Sequence, residues 1–301
     1  MHAGFEHEVS AIVAAHGGGG GDRASRAHAA ERLVRTGSGG ALDWQGVGLA
    51  SHFQPIFAVR EPACHGYEAL LSAIDADGLA VDSTDLFSRC VTSERSTLDW
   101  ACRALHLRNY AKFDPEERVL FLNVHPQDAV HDAGWARELG DLVRYYGLLP
   151  KRVCVEILAG ECGDEGLLRD AVAVYRGLGL AIAIDDFGRG RSNFDRVLDL
   201  GPDVVKVDRA LCADGLLGWG RARRMLAGMI ELLHDARARV VVGGIQGATE
   251  ARVAVDAGAD FLQGFHLCAP DPNVADERSA LARLAEVLRG TGGARGLAIA
   301  G

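Results

Sequence analysis

Residues 181–190 read Ala181-Ile182-Ala183-Ile184-Asp185-Asp186-Phe187-Gly188-Arg189-Gly190, a short apolar run that ends in two adjacent carboxylates and a glycine-rich turn. This is the pattern of a parallel strand covered on both faces and carrying acid at its C-terminal end. Three other runs have the same plan: Phe121-Leu122-Asn123, Val153-Cys154-Val155-Glu156 and Val204-Val205-Lys206-Val207-Asp208. Glu68, after Tyr67, adds another carboxylate. In a barrel of parallel strands, groups at successive strand ends converge at one mouth, where the active sites of that architecture lie. A single Asp or Asn at a strand end is more often a turn residue or a helix N-cap. Several in step across one chain are much harder to explain that way.

Working outward, the spacing predicts strands at His52–Val59, Gly66–Leu71, Val119–Val124, Val153–Ile157, Ala181–Asp185, Val204–Asp208, Val240–Ile245 and Phe261–Leu267. The loop between the first two is too short for a crossover helix, so those two are expected to be antiparallel. A helical region over Ser83–Lys112, with starts at Asp85 and Asp99, precedes the third strand. Helices are expected after the later strands at Asp128–Tyr146, Glu165–Leu178, Ser192–Leu200, Trp219–Arg237, Thr249–Ala257 and Asp276–Leu288. Strand and helix alternating at this density imply an α/β fold with a parallel sheet or barrel.

Residues 1–47 do not share the pattern. They read as a helical and flexible extension, with a glycine run at Gly17–Gly21 that lacks the lysine-serine pair of a phosphate loop. It suits either a helical arm for a partner or an unanchored tail. The barrel domain is expected over 48–290, and the Gly/Ala-rich end, 291–301, is expected to fray.

The chain has 301 residues, enough for one large α/β domain and an appendage. A net charge of -9 repels phosphate backbones and argues against broad DNA or RNA binding. Seven cysteines without a C-x-x-C pair read as reduced thiols rather than a disulfide frame or a zinc site. No apolar run approaches membrane-spanning length, and the N-terminus lacks the layout of a signal peptide, so a cytoplasmic location is expected. Only three of the 32 Lys+Arg residues are lysines, so Lys206 at a strand end stands out in a chain that otherwise uses Arg. An ammonium can lose its proton when desolvated beside a metal; a guanidinium effectively cannot.

Taken together and in order, Gln54-Pro55, Glu68-Ala69-Leu70, Asn123, Glu156-Ile157, Asp185-Asp186-Phe187-Gly188, Lys206-Val207-Asp208 and Gln263-Gly264-Phe265 resemble the EAL domain, the bacterial family that hydrolyses or binds cyclic di-GMP. The resemblance covers about residues 48–290. Asp186-Phe187-Gly188 has no accompanying H-R-D loop or glycine-rich nucleotide loop and is not a kinase motif.

The resemblance implies a TIM-like (β/α)8 barrel in which one strand, the one carrying or adjoining Glu68, runs antiparallel. It implies that Glu68, Asn123, Glu156 and Asp185 hold one Mg²⁺ or Mn²⁺ and that Asp186 serves a second. Hard oxygen ligands suit those ions, whereas zinc would prefer His or Cys. It further implies a catalytic role for Lys206 and Asp186 in opening cyclic di-GMP to linear pGpG, substrate contacts from Gln54 and Gln263, and a homodimer.

The departures from the family pattern are equally specific. Where the family has Ala-Glu-Gly-Val-Glu on the seventh strand, this chain has Val242-Gly243-Gly244-Ile245-Gln246, so Gly243 replaces a metal-site glutamate. The Arg expected shortly after Glu-Ala-Leu is Ser72, a Glu expected three residues after Glu156 is Ala159, and the loop after Asp186 reads Arg189-Gly190-Arg191-Ser192-Asn193. Arg189 and Arg191 are either replacement phosphate contacts or a solvated loop face. The expected function is a cyclic di-GMP signalling protein with weak or lost hydrolysis, acting through nucleotide or partner binding. The alternatives are a working phosphodiesterase in which Asp208 or Glu250 covers for the missing carboxylate, and a protein-interaction scaffold.

Overall fold

The computed structural model describes residues 40–113, 118–125, 133–158, 164–188, 194–208, 210, 219–273 and 277–291. Ten strands form one sheet: β1 (Leu42–Trp44), β2 (Val47–Ala58), β3 (Ala63–Ile74), β4 (Ala80–Val81), β5 (Val119–Val124), β6 (Val153–Leu158), β7 (Ala181–Phe187), β8 (Val204–Val207), β9 (Arg239–Val242) and β10 (Phe261–Leu262). The sheet runs β1-β2-β10-β9-β8-β7-β6-β5-β3-β4, and an additional β2–β3 pairing closes it on itself. Eight strands thus form the ring. β1 and β4 pair antiparallel with the far ends of β2 and β3.

β2 is antiparallel to both of its neighbours, β3 and β10, while the other ring pairings are parallel. The reversed strand is therefore the one adjoining Glu68, with Gln54 and Glu68 directly opposite each other. Only residues 59–62 separate β2 from β3, too few to carry the chain back across the sheet.

The α-helices among the described residues are α1 (Ser83–Ser88), α2 (Thr92–Tyr110), α3 (Ala133–Tyr145), α4 (Glu165–Gly177), α5 (Phe194–Leu200), α6 (Trp219–Asp235) and α7 (Ala248–Ala257) between strands, and α8 (Glu277–Thr291) after the last. α4 starts where the sequence places it because the Asp164 side chain accepts from the Leu167 backbone N–H. Two expected starts are corrected. Asp82, not Asp85, caps α1 by accepting from the Thr84 N–H. α2 begins at Thr92, and Asp99 lies inside it, held by Arg103 one turn on.

The last ring strand is also shorter than the expected Phe261–Leu267. Its ladder stops at Leu262 because the chain curls at Gly264, whose carbonyl accepts from Leu267 and Cys268 N–H groups while His266 N–H turns to Ile245. No helix among the described residues is long and apolar enough to cross a membrane.

Two apolar clusters hold the domain. The larger packs the helices against the outer faces of the strands. The smaller contains Ile56, Phe121, Cys154, Ala183, Val204, Val241 and Phe261, one residue from each of seven ring strands, and so fills the barrel's interior. This inner layer places the site, because strand side chains repeat on one face every second residue.

Candidate active site at the barrel mouth

Two residues further along each parallel strand from the inner apolar layer stand Asn123, Glu156, Asp185, Lys206, Gly243 and Gln263. On the reversed strand the matching step from Ile56 runs backward to Gln54, opposite Glu68. Each ring strand, or the residue just beyond it, therefore places one residue in a layer above the apolar floor. Seven of the eight carry polar side chains. The eighth, after β9, is Gly243.

The polar side chains meet. Lys206 Nζ lies 2.7 Å from Glu68 Oε2, 2.9 Å from Glu156 Oε1 and 3.7 Å from Asp185 Oδ1. Asn123 Nδ2 donates to Glu68 Oε1 at 2.9 Å, and Gln263 Nε2 donates to Glu68 Oε2 at 2.7 Å. Gln263 Nε2 also reaches Gln54 Oε1 at 3.2 Å, while Gln54 donates to the Cys268 carbonyl at 3.1 Å. Glu68 is thus held from three sides, and the two glutamines fix one another.

Three carboxylates and one ammonium leave two uncompensated negative charges inside the barrel. Burial pushes Glu156 well above the usual carboxylate range despite Lys206. Burial likewise raises Asp185 to about 6, with Glu68 and Asp186 adding to the effect. Glu68 is also pushed up by burial, but Lys206, Asn123 and Gln263 outweigh that and hold it low. Burial favours the neutral amine of Lys206, yet Asp185, Glu156 and Glu68 together keep it firmly protonated.

Such a cluster either takes up protons or takes up a cation. Oxygens of Glu68, Glu156 and Asp185 lie within 4.8 Å of one another, the only such acidic grouping among the described residues. Glu156 Oε2 is fully buried without a hydrogen bond, while Oε1 faces the Lys206 ammonium. Buried acceptors left this way cost free energy unless something else satisfies them. The donor set is carboxylate and amide oxygen, which fits a hard divalent ion such as Mg²⁺ or Mn²⁺.

Asp186 stands apart from that grouping. It has φ 55, the left-handed region that Asp tolerates better than most residues, and it sits where the β7–β8 register slips between Ile184 and Phe187. Such a bulge turns consecutive side chains away from simple alternation.

Neither proposed stand-in for the missing carboxylate joins the cluster. Asp208 accepts from the Ala210 N–H at 2.7 Å, and Glu250 accepts from the Gln246 N–H at 2.6 Å at the start of α7. Arg189, Arg191 and Ala159 lie outside the described residues. Ser72 sits on β3 opposite Ala50.

The sequence reading passed over the pair Asp99 and Arg103 on α2, which lines a cavity of about 470 Å³ together with Asn123. An acidic and a basic residue four apart ordinarily mark a solvated helix face. In the fold these two side chains are only 13% and 4% exposed, so this face of α2 is buried.

A model of the EAL domain family matches residues 43–270. The chain belongs to the EAL domain family. It is 31% identical over 232 residues to an uncharacterized protein of Azorhizobium caulinodans, covering 72% of this chain and 30% of that one. It is 25% identical over 231 residues to the probable cyclic di-GMP phosphodiesterase PdeB of Escherichia coli, covering 72% of this chain and 42% of the relative. The chain therefore spans less than half the length of these relatives.

Among solved structures, the EAL-domain protein YkuI of Bacillus subtilis, in complex with cyclic di-GMP and calcium, superposes with a TM-score of 0.71 at 23% identity over 81% of this chain and 61% of that one. A standalone EAL protein of Vibrio cholerae with cyclic di-GMP bound gives 0.65 at 22% identity, over 77% of this chain and 97% of that one. These likenesses establish the EAL barrel as the fold.

Proposed function

We propose that this EAL domain is a cyclic di-GMP signalling module in which hydrolysis to pGpG is weak or lost, acting through nucleotide binding, partner binding or both. The observation that carries the reading is the ring of eight inward positions in which only Gly243 lacks a side chain.

Glu68, Asn123, Glu156 and Asp185 are the groups to hold a divalent ion, with Asp186 at the bulge serving a second. Such ions, when bound, lower the pKa of a coordinated water and neutralise phosphate oxygens. The chain's own part is positional. Lys206 orients Glu68 and Glu156 and remains a charged donor at the mouth. Gln263 holds Glu68 and is itself paired with Gln54, and the two so fix the rim beside which a phosphodiester would lie. Gly243 supplies no anion where the family has one. Losing one electrostatic group at a reacting centre typically costs about two to three orders of magnitude in rate. Affinity needs ground-state contacts only and can outlast turnover.

Two measurements test the reading on the full chain. Titration calorimetry with cyclic di-GMP in Ca²⁺ is expected to show saturable binding, and incubation with Mn²⁺ is expected to yield little or no pGpG. Rapid pGpG formation would favour the working phosphodiesterase, and no binding would favour the interaction scaffold. A homodimer and a protein partner belong to the same proposal as routes for passing on nucleotide occupancy. Sedimentation with and without nucleotide reads the first of these.

A further inference from the structure

From Gln54 the bonding of the ring leads outward. The Cys268 backbone carbonyl, in the turn after β10, accepts from Gln54 Nε2 at 3.1 Å. A carbonyl can only accept, so this contact decides which way round the Gln54 amide lies. Its Oε1 is left facing Gln263, which must offer its own Nε2 at 3.2 Å, and the same Nε2 reaches Glu68 Oε2 at 2.7 Å. Two amides, each with one donating and one accepting end, thus carry the sense of a single backbone carbonyl to a ring carboxylate. Reversing either amide sets two donors or two acceptors against each other.

The Cys268 carbonyl is itself held. The peptide before it is fixed at both sides: the Cys268 N–H donates to the Gly264 carbonyl at 3.0 Å, and the Leu267 carbonyl accepts from Arg283 Nε at 2.9 Å and from Arg283 Nη2. Hydrogen bonds from an ionised donor are roughly twice as strong as neutral ones, so this peptide is held more firmly than an ordinary turn. Further on, Asp271 exchanges backbone bonds of 2.8 and 3.2 Å with Phe53, the neighbour of Gln54. Arg283 comes from α8, whose first residue, Glu277, accepts from Tyr67, the neighbour of Glu68, and pairs with Arg118 at 3.0 Å. The helix therefore gives Arg283 a fixed base on the outside of the barrel.

We infer that Arg283 and Gln54 are positioning residues for the metal centre. Arg283 fixes the Leu267–Cys268 peptide, the Cys268 carbonyl orients Gln54, and Gln54 orients Gln263 so that a donor and not an oxygen meets Glu68. The inference rests on the reading of Glu68 as a metal ligand and adds a control point on α8, outside the ring.

The test is the affinity of the full chain for Mn²⁺ without nucleotide, read from the electron paramagnetic resonance signal of the free ion, in the unaltered chain, Arg283→Met, Gln54→Met and the double variant. Methionine keeps an unbranched apolar stem at each position and removes the polar end. Loss of an outer partner of a metal ligand lowers affinity by about 10–100-fold, so Gln54→Met is expected to weaken binding about tenfold and Arg283→Met, one step further out, at least about threefold. The double variant is expected to lose no more than Gln54→Met alone, because Arg283 acts through Gln54. If Arg283 only anchored α8, its removal would lower the melting temperature and leave the Mn²⁺ affinity of the folded chain where it was. Unchanged affinity in a folded Arg283→Met chain, or losses that multiply in the double variant, overturns the inference while leaving the metal reading intact. No Mn²⁺ binding by the unaltered chain overturns the metal reading and this inference with it. Should Arg283→Met unfold, Gln54→Met decides: unchanged affinity there overturns the relay, and the tenfold loss supports it.

Discussion

The ammonium of Lys206 lies 2.9 Å from Oε1 of Glu156, a carboxylate whose side chain is wholly buried and whose other oxygen accepts no hydrogen bond. Attraction at that distance in a low-dielectric interior is the main compensation Glu156 has. Lys206 is thus an internal counter-ion for Glu68, Glu156 and Asp185 together.

Replacing Lys206 by Met removes one partner of a buried ion cluster and keeps its bulk. Losses of this kind run to about 3–5 kcal/mol, or roughly 10 °C in melting temperature for a domain of this size. The loss is expected in EDTA and is expected to be largely recovered in millimolar Mn²⁺, because an ion that binds only the folded form stabilises it by mass action. Differential scanning fluorimetry of both proteins with and without Mn²⁺ reads it. Equal melting of the two proteins in EDTA would contradict the counter-ion role.

His106 on α2 makes stability fall with acid. Burial lowers its pKa from 6.5 to about 4, and its Nδ1 lies 2.8 Å from Ser51 Oγ. The unfolded chain binds the proton near pH 6.5 and the folded chain only near 4, so between those values the unfolded state holds more protons. The contribution is fully present above about pH 6.5 and is lost progressively down to pH 4, by about 3 kcal/mol. The raised carboxylates of the ring act in the opposite direction over part of that range. The difference between the unaltered chain and His106→Gln isolates the histidine. Urea midpoints at pH 7 and pH 5 are expected to fall further on acidification in the unaltered chain than in the variant, and parallel shifts would contradict the assignment.

Gly264 is held by close backbone approach. A Cβ there would lie 2.2 Å from both the nitrogen and the carbonyl oxygen of Ile245, and those backbone atoms cannot yield as a flexible side chain would. Gly264→Ala is expected to push the chain after β10 away from Ile245 and carry Gln263 with it. The expected result is a loss of at least about 2 kcal/mol by urea unfolding, within the range of severe single substitutions, together with weaker nucleotide binding. Unaltered stability would show that the segment shifts freely.

Much of this arrangement was legible in the sequence because it follows from a period of two. Phe121 and Asn123, Cys154 and Glu156, Ala183 and Asp185, Val204 and Lys206 each put a floor residue and a site residue on one face of a strand, in runs otherwise apolar enough to be recognised as buried. The antiparallel hairpin followed from the short loop expected between Val59 and Gly66. Less visible was whatever depends on contacts between distant segments. The end of β10 is set by Ile245 against Gly264, and in the sequence only that glycine within Phe261–Leu267 announces it. The start of α2 was misjudged because Asp99 resembles an N-cap, whereas it pairs with Arg103 inside the helix. The cavity beside Asn123 arises only when α1 and α2 pack on β3.

The most direct test is to restore the missing anion. At Gly243 a Cβ would meet only the Val207 carbonyl oxygen at 3.8 Å, an ordinary contact. A glutamate there need not disturb the barrel. With Mn²⁺ and cyclic di-GMP, pGpG formation by the unaltered chain is expected to be slow or undetectable, and Gly243→Glu is expected to raise it by at least about a hundredfold. Rapid turnover by the unaltered chain, or a folded Gly243→Glu chain with no gain, would contradict the account.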